Sequence, residues 1–135
     1  MTQRTFVIIK PDAVRRGLVG EVLSRYEAKG LTIVAMEHRT IDAAVADEHY
    51  HEHVDQPWYP PLRDFVTSGP LVAMVLEGDE AIEVVRLLNG ATDGRKATPG
   101  TIRGDLSLSN RENLVHGSDS PESAEREIKL WFPGL

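Results

Sequence analysis

The sequence predicts an α+β fold of the ferredoxin-like, split βαβ kind: a four-stranded antiparallel sheet with helices packed on one of its faces. Three observations carry this prediction. Four β-branched or apolar segments alternate with segments of helical spacing, in the order strand, helix, strand, helices, strand, helix, loop, strand, helix. Glycine, proline and capping residues stand where those segments should stop or start. The 135 residues suit one compact domain, residues 1–135, better than two.

"TFVIIK" (Thr5 to Lys10) is a β-branched apolar run stopped by Pro11, the first strand. In "GLVGEVLSRYEAKG", Leu18, Val22 and Tyr26 recur at four-residue spacing with Val19 and Leu23 beside them. Gly30 stands where a glycine ends a helix in the left-handed conformation. "LTIVAMEHRT" alternates as a second strand. "IDAAVADEHYHEHV" is helix-prone behind Asp42 as N-cap. "QPWYPPLRDFVTSGP" reads as helix interrupted by Pro57, Pro60 and Pro61, because proline lacks the backbone donor. "LVAMVLEG" is the third strand. "DEAIEVVRLLNG" carries Ala81, Val84, Val85 and Leu88 on one stripe and ends at Asn89-Gly90. Residues 91–112 are polar and without periodicity, a loop long enough to be functional. "NLVH" is the fourth strand. Ser120 as N-cap and Pro121 at the first helical position open the last helix, whose stripe is Ala124, Ile128 and Trp131.

Composition narrows the function. The formal net charge is -6, against the basic face that nucleic-acid binding requires, so no stable nucleic-acid partner is expected. With no cysteine, disulfides and thiolate catalysis are excluded. "LVAMVL" is too short to cross a bilayer, and the N-terminus lacks the apolar core of a signal peptide; a cytoplasmic protein is expected. An acidic protein that binds an anion needs a local basic cluster, and the location of that cluster becomes the question.

"NLVHGSDSPESAEREI" ends a strand on His116, then turns through small residues into a helix. Two readings are open: a packing or surface histidine, or a nucleophile prepared for an anion beside a helix N-terminus. Glu127 lies three after Ala124 and four before Trp131. It therefore borders the buried stripe, where a carboxylate can orient an imidazole. Lys10 ends the first strand, Arg86 lies near a helix C-terminus and Arg103 sits in "PGTIRGD". Each has an ordinary structural explanation, yet together they can surround a polyphosphate. No G-x-x-x-x-G-K-[ST] is present, so side chains would have to hold it. "HYHEH" (His49 to His53) suggests zinc but lacks the H-E-x-x-H order, and a solvated polar helix face is the default. "QPWYPP" offers either a core anchor or an aromatic platform for a base.

With these residues in place, the chain resembles the nucleoside diphosphate kinases over nearly its whole length. The most specific segment is "NLVHGSDS"; "TFVIIKPDAV", "TSGPLVAMVLEG", "PGTIRGD" and "ESAEREIKLWFP" follow the family in order. The resemblance implies that His116 takes the γ-phosphate of a nucleoside triphosphate, usually ATP, on its pros nitrogen and passes it to a nucleoside diphosphate. It implies phosphate contacts from Lys10, Arg86, Thr92 and Arg103, a sugar contact from Asn113 and support from Tyr50. Glu127 would orient the imidazole, with Ser118 beside it. Mg²⁺ would bridge phosphates, with no side chain assigned to it. A homo-oligomer is implied, hexamer favoured and tetramer as the alternative.

Trp58 stands where the family stacks a phenylalanine on the base, Asn110 where an apolar base contact is common, and Gly94 where many members have proline. Glycine leaves the unfolded chain freer, so a Gly94→Pro version is expected to be more stable. A catalytically inactive nucleotide- or RNA-binding module on the same fold is the rival reading.

Overall fold

The computed structural model describes all of Met1–Leu135. The elements, in chain order, are β1 (Thr2–Ile9), α1 (Pro11–Arg15), α2 (Val19–Lys29), β2 (Thr32–Arg39), α3 (Ala43–His49) and α4 (Tyr59–Val66). They continue with β3 (Leu71–Asp79), α5 (Ala81–Asn89), α6 (Ile102–Leu106), β4 (Val115–Gly117) and α7 (Pro121–Trp131). The strands form one sheet in the order β2-β3-β1-β4, with every neighbouring pair antiparallel. This is the predicted α+β arrangement, with the first strand inside the sheet.

Helices cover both faces of the sheet, not the single face expected. Val7 and Ile9 of β1 pack with Val22 and Tyr26 of α2 and Ala81 and Val85 of α5. The alternate residues Phe6 and Ile8 pack with Ala46 of α3, Val66 of α4 and Trp131 of α7. Side chains alternate along a strand, so an unbroken apolar run such as "FVII" must be buried on both sides. Phe6 is 0 % exposed, and burying such a side chain contributes about 2–3 kcal/mol. No helix is long and apolar enough to cross a membrane.

The capping signals act as read. Asp42 accepts from the Val45 amide at 3.0 Å and Ser120 from the Ser123 amide at 3.1 Å, while Gly30 ends α2 with φ 111. Pro60 and Pro61 lie in the first turn of α4, where no amide donor is needed, so they begin a continuous helix. Pro11 likewise opens α1, a turn hidden by the rule that proline ends a strand. The segment 91–112 contains α6, whose N-cap Thr101 accepts from the Gly104 amide at 3.0 Å.

Gly94 overturns the expectation attached to it. Its amide donates to the Ser109 carbonyl at 3.0 Å, and a Cβ built there would run into the Ser107 carbonyl and side chain. Proline would lose that donor and overlap Ser107, which outweighs the reduced freedom of the unfolded chain. Gly94→Pro should therefore lower the melting temperature by several degrees, an effect of about 1–3 kcal/mol. An equal or higher melting temperature would refute this.

Candidate active site

β4 pairs with β1 so that His116 stands opposite Ile8. Phe6, Ile8 and Lys10 project to one side of β1 by strand alternation, which brings Lys10 and His116 to the same layer. Gly117 follows because a Cβ there would lie 3.0 Å from Val85 of α5. Its small size thus lets β4 seat against α5.

β4 begins at Val115 rather than at Asn113 because Leu114 leaves strand geometry. Its φ is 75, and the Val115 amide donates to the Asn113 carbonyl at 2.8 Å, closing a three-residue turn. A buried leucine in this conformation is strained by about 1–3 kcal/mol.

Glu127 of α7 is 5 % exposed. Its Oε1 lies 3.1 Å from His116 Nε2 and accepts from the Ser118 hydroxyl at 2.7 Å. An ionised carboxylate only accepts, so His116 carries its proton on Nε2. Nδ1 then keeps a lone pair and has no hydrogen-bond partner within the chain. Ser118 is fully buried; its hydroxyl oxygen also accepts from the Phe6 amide at 3.2 Å, and its own amide donates to the Phe6 carbonyl at 3.1 Å, fixing α7 to β1 through Glu127.

The ring of His49 meets that of His116 at 77°, with centroids 4.6 Å apart. The default of a solvated face for "HYHEH" fails at this position, since His49 is 3 % exposed. Trp131 Nε1 donates to His49 Nδ1 at 3.1 Å, which places the hydrogen on Nε2, an atom without a partner. Burial, then the neighbouring His116, holds the His49 pKa well below the usual imidazole value, so His49 is neutral. Its three-residue step from buried Ala46 was a helical signal that the histidine-rich composition masked. α3 ends at His49, so His53 leaves its face and instead lies 5.1 Å from the Trp58 ring. The zinc reading of this motif does not survive. The trio of ligand-type side chains that does form is His49, His116 and Glu127, with atoms up to 4.8 Å apart and a hydrogen bond between two of them.

A cleft of about 920 Å³ opens over His116. Lys10, Arg86, Arg95, Arg103, Arg111 and Arg126 line it, against Glu52, Asp119 and Glu127 as acids. This is the local basic cluster that an acidic chain needs for an anion. Lys10 is 7 % exposed, and its Nζ donates to Asn113 Oδ1 at 2.9 Å. Burial, then Arg103, lowers its pKa to about 8, while Asp12 acts in the opposite direction. Asn113 donates to the Thr92 and Asn110 carbonyls, leaving only a lone pair of Oδ1 for a further group.

Arg103 is committed in advance. Its Nε, Nη1 and Nη2 donate to the carbonyls of Asn113, Gly90 and Val115 at 3.1, 2.8 and 2.6 Å, leaving two of five N–H groups for a ligand. Arg86 is exposed, with Nη1 3.4 Å from the Gly117 carbonyl. Thr92 is exposed at the mouth. Trp58, 47 % exposed, forms part of the wall, which favours the platform reading over the core anchor. The Tyr50 hydroxyl is buried without a partner, and burial, then Glu127, raises its pKa. All ten predicted site residues except Ser118 line this one cleft, and Ser118 lies directly behind it on Glu127.

Sequence reasoning left out Arg126, which donates to the Glu48 and His49 carbonyls and so ties α7 to the end of α3. It also left out Asp12, whose carboxylate accepts from the Leu114 amide at 3.1 Å.

The known proteins that this chain is similar to belong to one family. The family model described as nucleoside diphosphate kinase matches residues 3–135. A nucleoside diphosphate kinase of a Nocardioides species is 82% identical over 135 residues, covering 100% of both chains. That of Rhodococcus erythropolis is 64% identical, covering 100% of this chain and 98% of its own. Among solved structures, a halophilic nucleoside diphosphate kinase from Halobacterium salinarum in complex with CDP superposes with a TM-score of 0.95 at 50% identity. It covers 98% of this chain and 88% of its own. The enzyme from Encephalitozoon cuniculi gives 0.94 at 40% identity, over 96% and 88%. A match spanning the cleft, the imidazole and its carboxylate, at these identities, places the chain in the nucleoside diphosphate kinase family.

Proposed function

We propose that this chain, as a single domain over residues 1–135, moves the γ-phosphate of a nucleoside triphosphate to a nucleoside diphosphate through phosphorylated His116. The observation that carries the reading is the unpartnered His116 Nδ1 in a cationic cleft, with Nε2 committed to Glu127. Nδ1 donates its lone pair to the γ-phosphorus. The bond from that phosphorus to the bridging oxygen breaks, and the diphosphate leaves with the electron pair. The imidazole gains positive charge, which Glu127 offsets across the hydrogen bond. A second diphosphate then attacks the phosphorus and restores the neutral ring. One cleft serves both halves, so the kinetics are ping-pong.

Lys10, Arg86, Thr92 and Arg103 would hold the phosphates, Asn113 would accept from a sugar hydroxyl and Trp58 would stack on the base. Tyr50 and Ser118 would act as supports, the latter through Glu127. Stacking with few base-edge contacts accepts purines and pyrimidines alike. The cleft's cations suit phosphates rather than a bare dication, so Mg²⁺ would enter on the phosphate oxygens. When bound, it would neutralise their charge. Set within the family, the chain would work in the cytoplasm as a homo-oligomer, a hexamer before a tetramer. A sedimentation mass of a dimer or tetramer would overturn the hexamer.

Brief incubation with γ-labelled ATP and magnesium tests the reaction. The protein should take up label that survives alkali, is lost in acid and is discharged by any nucleoside diphosphate. His116→Ala should take up none. A His116→Ala protein that still labels and turns over would end the assignment.

A further inference from the structure

The turn that delivers His116 is held by a carboxylate that the transfer chemistry does not use. Leu114 sits between Asn113, which holds Lys10, and β4, which carries His116. At φ 75 it occupies backbone space that side-chain-bearing residues rarely adopt, and it is 0 % exposed. Its amide donates to Asp12 Oδ2 at 3.1 Å, and its carbonyl accepts from the Lys10 amide at 2.8 Å. Asp12 is itself only 4 % exposed, and its other oxygen has no hydrogen-bond partner. A carboxylate taken out of water with one oxygen unsatisfied is costly, so its presence calls for a local reason.

We propose that Asp12 is a positioning residue for phosphoryl transfer: its carboxylate pins Leu114 in the left-handed turn, which sets the Lys10–Asn113 pair and the start of β4 that presents His116. This rests on the proposed role of His116 as nucleophile. Without that hydrogen bond Leu114 can relax towards ordinary backbone angles, moving Asn113 and Val115 in opposite senses. Asp12 acts on Lys10 in a second way, as the negative charge that favours its protonated form. The other groups that bear on this amine are Arg103 of α6, which disfavours its proton, and neutral His49 of α3.

The two actions separate by mutation. Asp12→Asn keeps an acceptor for the Leu114 amide but removes the charge. Asp12→Ala removes both. Leu114→Gly removes the strain, since glycine adopts positive φ freely, at the cost of a core side chain. The four corners of the Asp12→Ala, Leu114→Gly cycle are compared by single-turnover labelling of His116 from γ-labelled ATP. The temperature is one at which circular dichroism shows each protein folded.

Asp12→Ala should slow labelling about tenfold or more in the wild-type background and less than about threefold beside Leu114→Gly. Asp12→Asn should stay within about threefold at pH 7, with the alkaline limb of its labelling profile moved to lower pH. The proposal is overturned if Asp12→Ala labels like the wild type, or if it costs the same in both backgrounds. Should Asp12→Ala not fold alone, the double variant decides: Asp12→Ala with Leu114→Gly should fold and label within about threefold of Leu114→Gly, and a double variant that does not fold or labels more slowly overturns the proposal. Wild-type protein that takes up no label would instead defeat the reading of His116, whatever the Asp12 variants do.

Discussion

Lys10→Met should abolish rapid phosphorylation and at the same time make the protein more stable. Lys10 is 7 % exposed and keeps its charge against burial and Arg103, which together lower its pKa from 10.5 to about 8. At about 1.4 kcal/mol per pKa unit, holding that charge costs the fold about 3 kcal/mol at neutral pH. Methionine fills similar volume without charge. It loses the hydrogen bond to Asn113 Oδ1, worth about 1–2 kcal/mol, while the attraction to Asp12 is already contained in the net pKa of about 8. The expected net gain is about 1–2 kcal/mol, a rise of several degrees in melting temperature.

The pH dependence gives a second check. The folded-state pKa is lowered, so the cost is fully present below about pH 8 and fades as pH rises towards 10.5, where the unfolded chain also loses its proton. The stability gap between Lys10→Met and wild type should therefore narrow across that window. In labelling, removing the buried cation should cost about 10²-fold or more, as removing one prearranged donor does elsewhere. A lower melting temperature for Lys10→Met would mean that the contacts with Asn113 and Asp12 outweigh desolvation. A site that works by holding charge in a partly dry cleft is expected to sacrifice stability in this way.

Much of the fold was legible because its signals are local. Alternation, capping side chains and terminal glycines are read within a few residues, and Asp42, Ser120 and Gly30 behave as their positions suggest. Failures occurred where a residue's meaning depends on a distant partner. Pro11 both stops β1 and starts α1, because the missing donor is harmless in a first turn. The apolar "FVII" fits one covered face or two until α3, α4 and α7 are seen across from Phe6 and Ile8. Gly94 reads as a freely replaceable loop glycine until Ser107 is found against it.

The site followed the same division. His116 and Glu127 were legible because Glu127 repeats the buried stripe of α7 at helical spacing. His49 was masked in composition by the exposed His51 and half-buried His53 that follow it, although Ala46 three residues earlier is buried. Asp12 and Arg126 act through backbone atoms of Leu114, Glu48 and His49, and a backbone partner leaves no mark in the side-chain pattern. The prior commitment of Arg103 to three carbonyls was hidden for the same reason.

Glu127→Gln should cost far more than the loss of one charge suggests, because it can move the proton to the wrong nitrogen. Glu127 Oε1 receives both His116 Nε2 and the Ser118 hydroxyl, while Oε2 lies 3.8 Å from Arg126 Nη2. Glutamine has one acceptor and one donor end for these two environments. With its oxygen towards His116, the amide hydrogens confront the Arg126 guanidinium, and no negative charge offsets the imidazolium that forms during transfer. With its nitrogen towards His116, the clash disappears, and Ser118 can turn its hydroxyl to the Phe6 carbonyl 3.3 Å away. His116 must then offer a lone pair at Nε2 and carry its proton on Nδ1, the atom required to attack phosphorus. Neither arrangement leaves a prepared nucleophile, and the second has an alternative partner for every group except that nitrogen. Misplacing an imidazole proton in this way lowers turnover by about 10⁴ in a comparable triad, so labelling by γ-labelled ATP should slow by about 10²–10⁴. The fold should change little, since the substitution is isosteric. Nitrogen-15 NMR of His116 should show the Nδ1–H tautomer gaining population. Labelling within about tenfold of wild type, with the Nε2–H form retained, would show that charge and tautomer at Glu127 matter less than shape. The carboxylate would then be a packing element of α7 rather than the group that makes His116 a nucleophile.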